Sequence, residues 1–193
     1  MNFSNDFSPI PRSRGSVLSG LLLALGLMTV PSHPVLAQTT LLEECNNFAE
    51  RINRNQVIMA NFEAEIATFA ENAASAETLD EITAAAAQYV EAVDQVTNSL
   101  ETLADELTSL AFDDPQLQDY RDGYVDVLAG FNAALDSVNT AMSKVATVET
   151  EAELIASLET VEVDASTAIG QIESLAVEES NLIDNVNDHC GVE

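Results

Sequence analysis

The stretch Leu41–Ala73, LLEECNNFAERINRNQVIMANFEAEIATFAENA, decides the fold. Its apolar residues fall at Leu41, Cys45, Phe48, Ile52, Met59, Phe62, Ile66, Phe69 and Ala73, in steps of four and three that only Asn55 interrupts. Such steps average about 3.5 residues, which keeps one narrow stripe of a helix facing a partner and favours left-handed supercoiling. A helix of this kind cannot bury its stripe alone, so the rest of the chain must supply partners.

Three further helices do so. Thr78-Leu79-Asp80-Glu81 is a capping box, and the stripe that follows it runs Leu79, Ile82, Ala86, Tyr89, Val93, Val96, Leu100, Leu103, Leu107 and Leu110. Within it Ala84 to Ala87 makes one turn slim on all sides, which suits close helix approach. Asp113-Asp114-Pro115 then punctuates the chain, because Asp114 can cap a helix and proline fits its first position. The third stripe is Leu117, Tyr120, Tyr124, Val127, Phe131, Ala134, Val138, Ala141 and Val145. Gly123 and Gly130 on this helix each cost about 1 kcal/mol relative to alanine, which predicts room left for a neighbouring aromatic ring. A second capping box, Thr150-Glu151-Ala152-Glu153, opens the fourth stripe: Leu154, Leu158, Val161, Ala165, Ala168, Ile172, Leu175, Glu179, Leu182 and Val186, with Gly191 suited to a C-terminal cap.

The predicted helices span residues 41–74, 79–111, 115–146 and 151–190 of one domain, 38–193. Turns this short predict an all-α, up-down-up-down four-helix bundle with heptad-like seams. An offset of 72 residues carries Glu77-Thr78-x-x-Glu81 onto Glu149-Thr150-x-x-Glu153, and Leu100-Glu101-Thr102-Leu103 onto Ile172-Glu173-Ser174-Leu175. We read this as a duplicated helical hairpin.

Residues 1–37 read differently. Arg12 and Arg14 precede an apolar run from Val17 to Val30, then Pro31, Pro34 and Val35-Leu36-Ala37. That is the pattern of a secretory signal peptide with cleavage between Ala37 and Gln38, and the run is shorter than the roughly 20 residues that span a bilayer. The expected location is the bacterial periplasm or exterior, with no membrane span after cleavage. From Gln38 onward the cations are Arg51, Arg54, Arg121 and Lys144, against 32 acidic residues. Such a surface repels nucleic acid and anionic lipid. It suits a solvated coat, or else weak multi-site cation binding; no D-x-[DN]-x-[DN]-G loop marks a dedicated Ca²⁺ site.

Only two cysteines occur. In the bundle topology the start of the first helix and the end of the fourth are neighbours, so Cys45 and Cys190 are expected to pair as a disulfide. Two polar residues sit on seams. With Ala73 placed level with Ile82, Asn55 falls level with Leu100, Val127 and Ile172, alone among apolar side chains, and reads as a register mark. Glu179 falls level with Leu107, Phe48 and Tyr120, and a carboxylate there needs partners. Tyr120 is the candidate donor, and Arg51, Arg54 and Arg121 lie within about a turn. They form either a salt-bridge group around Glu179 or a small docking patch for an anion or partner.

Asp114-Pro115-Gln116-Leu117-Gln118-Asp119-Tyr120-Arg121-Asp122-Gly123-Tyr124 is similar to the start of the third helix in the small soluble b-type cytochromes of the periplasm. The resemblance implies an exported four-helix bundle. Those proteins hold haem between a Met near the start of helix one and a His near the end of helix four, and the corresponding places here are Cys45 and Cys190. His189 is adjacent, but no Met precedes Met59 in the first helix, and C-x-x-C-H is absent. No haem or other cofactor is therefore expected.

No G-x-S-x-G, H-E-x-x-H, phosphate loop or Glu-x-x-His pair is present either, so no enzyme activity is expected. The expected role is a structural or protein-interaction module with an unidentified protein partner. The alternative is a periplasmic small-ligand or cation binder using the bundle core or acidic face, which a hydrophobic cavity near Ala84 to Ala87 would favour.

Overall fold

The computed structural model describes residues 35–191. Four helices follow one another with short turns: α1 (Val35–Ser75), α2 (Leu79–Ser109), α3 (Pro115–Val145) and α4 (Glu151–Cys190), with no strand among the described residues. Three of the four starts are where the capping chemistry places them. The Thr78 hydroxyl accepts from the Glu81 N–H while the Glu81 carboxylate accepts from the Thr78 N–H, and Thr150 and Glu153 do the same for α4. Asp114 Oδ1 accepts from the N–H groups of Gln116 and Leu117 at 2.8 and 3.0 Å, with Pro115 in the first turn. Gly191 ends α4 in the left-handed conformation, φ 69°.

The fourth start differs. α1 begins at Val35, six residues before the predicted Leu41, because nothing between Pro34 and Leu41 breaks a helix. Residues 1–34, most of the expected leader, lie outside the described residues, and the expected cut after Ala37 falls in the first turn of α1.

The helices pack in chain order as an up-down bundle, α1 on α2, α2 on α3 and α3 on α4. Closure of the fourth side is uneven: α1 and α4 approach one another at few points, one of them the disulfide. Burial follows. Eleven residues of α3 are buried but only three of α4, so the core is centred on α2 and α3. Leu100, Leu103, Leu107, Leu117 and Leu128 are fully enclosed there, each worth about 1.5–3 kcal/mol of burial. At the disulfide end Phe48 and Ile52 of α1 and Val186 of α4 are also buried, and the Phe48 ring meets Phe112 and Tyr124 at 5.7 and 6.3 Å between centroids.

The two α3 glycines face leucines rather than the aromatic rings expected from sequence. A Cβ at Gly130 would stand 2.7 Å from a methyl of Leu175, and one at Gly123 would stand 3.3 Å from Leu182. Both leucines belong to α4, so small residues let the only helix covering α3 on that side approach closely. Gly170 on α4, by contrast, has nothing within 4 Å. Gly170→Ala is expected to stabilise by about 0.5–1 kcal/mol through helix propensity alone. Gly130→Ala gains the same propensity but must displace Leu175, and is expected to destabilise by about 1–2 kcal/mol net. Urea unfolding of the two variants tests the opposite signs.

Candidate functional site

The polar seam residues meet near the disulfide end. Cys45 and Cys190 are joined, with Sγ atoms 2.01 Å apart and Cα atoms 6.0 Å apart. Asn55 stands ten residues after Cys45 and Glu179 eleven before Cys190, so on helices rising about 1.5 Å per residue the two reach nearly the same height. Asn55 Nδ2 donates to Glu179 Oε1 at 2.9 Å and contacts Tyr124 Oη at 3.1 Å, and Tyr124 Oη donates to the same Glu179 oxygen at 2.5 Å. Asn55 is 2% exposed and Tyr124 fully buried; Glu179 is half-buried.

Three expectations are corrected by this geometry. Asn55 is not alone in an apolar layer but belongs to a trio with Tyr124 and Glu179. The donor to Glu179 is Tyr124 rather than Tyr120, which lies one turn nearer the disulfide end with its ring against His189, 6.0 Å between centroids. The arginines do not neutralise Glu179: Arg54 pairs with Glu106 of α2, and Arg51 Nε lies 3.6 Å from the same carboxylate. The common cause is level. Heights counted from the Ala73–Ile82 turn accumulate an error over three connections, whereas the disulfide ties α1 to α4 directly.

Arg121 is separate from the Arg51–Arg54 pair. Its Nη1 donates to the Leu110 carbonyl at 2.6 Å and its Nη2 lies 2.7 Å from Asp122. It helps close the α2–α3 turn together with Gln118, which donates to the Phe112 carbonyl, and Glu44 of α1, which accepts from the Asp113 and Asp114 N–H groups. Glu44 lies off the apolar stripe, so the sequence does not show these two partners. A carboxylate in reach of two unpaired N–H groups at a helix start is a signal visible only once the turn is placed. His189 Nε2 lies 3.2 Å from Asp114 Oδ1, which ties the end of α4 to the same turn.

Electrostatics mark the same groups. Burial pushes the Tyr124 phenol far above its usual range, and the Glu179 carboxylate pushes it further. Its neutral form is thus the one the fold holds, and stability is lost only as pH rises above about 10, the unfolded value. Four carboxylates are held below their usual range. Glu81 is lowered by the Glu77 N–H and then Thr78, and Glu153 by the Glu149 N–H and then Thr150. Glu106 is lowered by its hydrogen bond from Arg54. At Asp114 partial burial acts upward, but the Leu117 and Gln116 N–H groups and His189 together bring it down. A lowered folded value means stability present above about pH 4.3 and lost as pH falls through the folded values. Against this, protonating other carboxylates relieves self-repulsion in a chain of net charge −27. The melting temperature is expected to rise slightly from pH 7 to 5 and to fall below about pH 4. Glu81→Gln/Glu153→Gln should flatten part of that fall.

Beyond the trio, away from the disulfide, the α1–α4 side is open. Met59 and Ile66 of α1 are only half-buried although they continue the stripe of Phe48 and Ile52, while Phe69 meets the Tyr89 ring of α2 and Phe62 lines a groove with α2. On α4 Leu158 and Ile169 are 44% and 58% exposed. At about 100° per residue they fall within about 60° of Cys190, the side of α4 that meets α1. Shallow grooves also run between α1 and α2. The one lined by Ala84 and Ala85 has Asn72, Ser75, Glu81 and Gln88 around it, so it is an open polar groove and not the hydrophobic cavity considered from sequence. Ala86 is buried against Ala134 and Val138, as close helix approach requires. Among the described residues no group of three or more His, Cys, Asp or Glu could hold a metal ion.

No family model, curated protein or solved structure matches the chain.

Proposed function

We propose that this is an exported, non-catalytic interaction module that receives a basic amphipathic helix of a partner protein along the open side between α1 and α4. The observation that carries the reading is that Leu158 and Ile169 of α4 are exposed and Met59 and Ile66 of α1 only half-buried, along a side where α1 and α4 approach at few points. A bundle normally buries such residues with its own neighbouring helix. Apolar anchors spaced along a groove are how one helix recognises another. The partner's charge follows from the walls. α4 carries ten carboxylates and no Lys or Arg, and α1 beyond Asn55 carries Glu63, Glu65 and Glu71 and again no cation. The stretch from Met59 to Ala73 is about 21 Å long at 1.5 Å per residue, room for about four turns of partner helix. Export is supported by the disulfide, which persists in oxidising compartments, and by the leader pattern. Among the described residues no helix is long and apolar enough to cross a membrane.

An 18-residue peptide with leucine on one helical face and lysine on the other tests this. Saturable binding is expected, weakened at least tenfold by Leu158→Asp/Ile169→Asp although those changes add attractive charge. Val57→Asp, on an exposed residue away from the α1 stripe, should leave it unchanged. Equal loss with Val57→Asp, or no loss with the Leu158 and Ile169 changes, refutes the groove.

A further inference from the structure

The trio next to the open side carries one buried acceptor that lacks a donor. Asn55 Nδ2 and Tyr124 Oη both reach Glu179 Oε1, while Asn55 Oδ1 is buried with no hydrogen-bond partner. None of the ion pairs among the described residues includes Glu179. An amide oxygen withdrawn from water without a donor is costly unless something supplies one, and among the described residues the half-buried Glu179 has donors on Oε1 but no cation beside it. The neighbouring surface is apolar: Met59 on α1 and Ile172 on α4, one and two turns from the trio, are half-buried.

We propose that this is a recognition site for a primary alkylammonium group. Its N–H donors go to the Glu179 carboxylate and Asn55 Oδ1, and its hydrocarbon chain lies along Met59 and Ile172. An ammonium has three donors and no acceptor, which matches a site made of acceptors, and its charge offsets that of Glu179. Water at Asn55 Oδ1 would satisfy the amide but leave the carboxylate without a counter-charge. A divalent ion fits less well, because Ca²⁺ takes six to eight oxygens and one carboxylate with one amide supplies few. The ammonium can belong to a free amine or to a lysine of a docked helix; only the second source rests on the groove reading above.

Titration of ¹⁵N-labelled, disulfide-intact protein with n-hexylammonium tests the site. The expected result is a saturable shift of the Asn55 side-chain amide, with n-hexanol binding at least tenfold more weakly. Glu179→Gln should lower the affinity at least tenfold. Asn55→Leu, followed by the backbone amides of residues 55–59, removes the amide acceptor, should also weaken it and serves if Glu179→Gln does not fold. Shifts that never saturate, hexanol binding as tightly as the amine, or affinity unchanged in both variants would each overturn the proposal. Displacement of the leucine–lysine peptide by hexylammonium assigns the ammonium to a partner lysine; binding without displacement assigns it to a free amine. If the peptide does not bind and hexylammonium does, the groove reading fails and the ammonium site stands.

Discussion

Cys45→Ser/Cys190→Ser is expected to unfold about 4–5 kcal/mol more readily than the disulfide-bonded protein. The bond closes a loop with a sequence separation of 145 residues, and the chain-entropy account assigns about 4.7 kcal/mol to a loop of about 100. A domain of this size has about 5–15 kcal/mol in total, so the loss is about a quarter of it or more. The effect should also be local. α1 has few other approaches to α4, and the trio lies only about three turns from the bond, so its geometry depends on that tether. Guanidinium unfolding followed by circular dichroism gives the global loss. Hydrogen exchange at α1 amides between Cys45 and Asn55 should rise more than at α2 or α3. A midpoint that did not move would show that core packing alone holds the terminal helices.

The second large effect is at Tyr124. Tyr124→Ala is expected to cost about 4 kcal/mol, in the range for removing a buried aromatic ring, because the side chain is fully enclosed and its ring meets Phe48 edge-on. Tyr124→Phe keeps the ring and removes only the donor to Glu179. Asn55 Nδ2 still reaches that oxygen, so the cost should be about 1–2 kcal/mol. The difference separates packing from hydrogen bonding. If Tyr124→Phe proved as costly as Tyr124→Ala, the polar trio and not the ring would be what the core depends on. Asn55→Leu/Tyr124→Phe/Glu179→Leu should recover much of the single-variant losses, since replacing a whole buried polar group by apolar side chains is often neutral or stabilising. Urea midpoints of the series decide it.

Much of the fold is legible in the sequence because its signals are local. The capping boxes at Thr78 and Thr150, the Asp114-Pro115 start and the Gly191 stop each concern atoms within four residues of one another, and each forms where the residues place it. The apolar stripes are equally local, and they name Leu100, Leu103, Leu107 and Leu117 as buried. The candidate site is legible only in part. Asn55 and Glu179 stand out as polar interruptions of apolar stripes, but nothing along the chain says that they touch. Their separation of 124 residues crosses three turns, and a shift of a few residues at each is enough to exchange Tyr120 for Tyr124. Arg121 shows the same limit, since its partner Leu110 is a backbone carbonyl that carries no residue code.

The amino-acid sequence by itself determined four helices, their order, their inward faces and the pairing of Cys45 with Cys190, because periodicity, caps and topology are properties of short segments and chain direction. Only the tertiary structure decided the level of Asn55 against Glu179, the identity of Tyr124 as their donor and the incomplete closure between α1 and α4. Those depend on how far helices slide and lean on one another. That is set by packing such as Leu175 against Gly130 and Leu182 against Gly123, summed over the whole bundle.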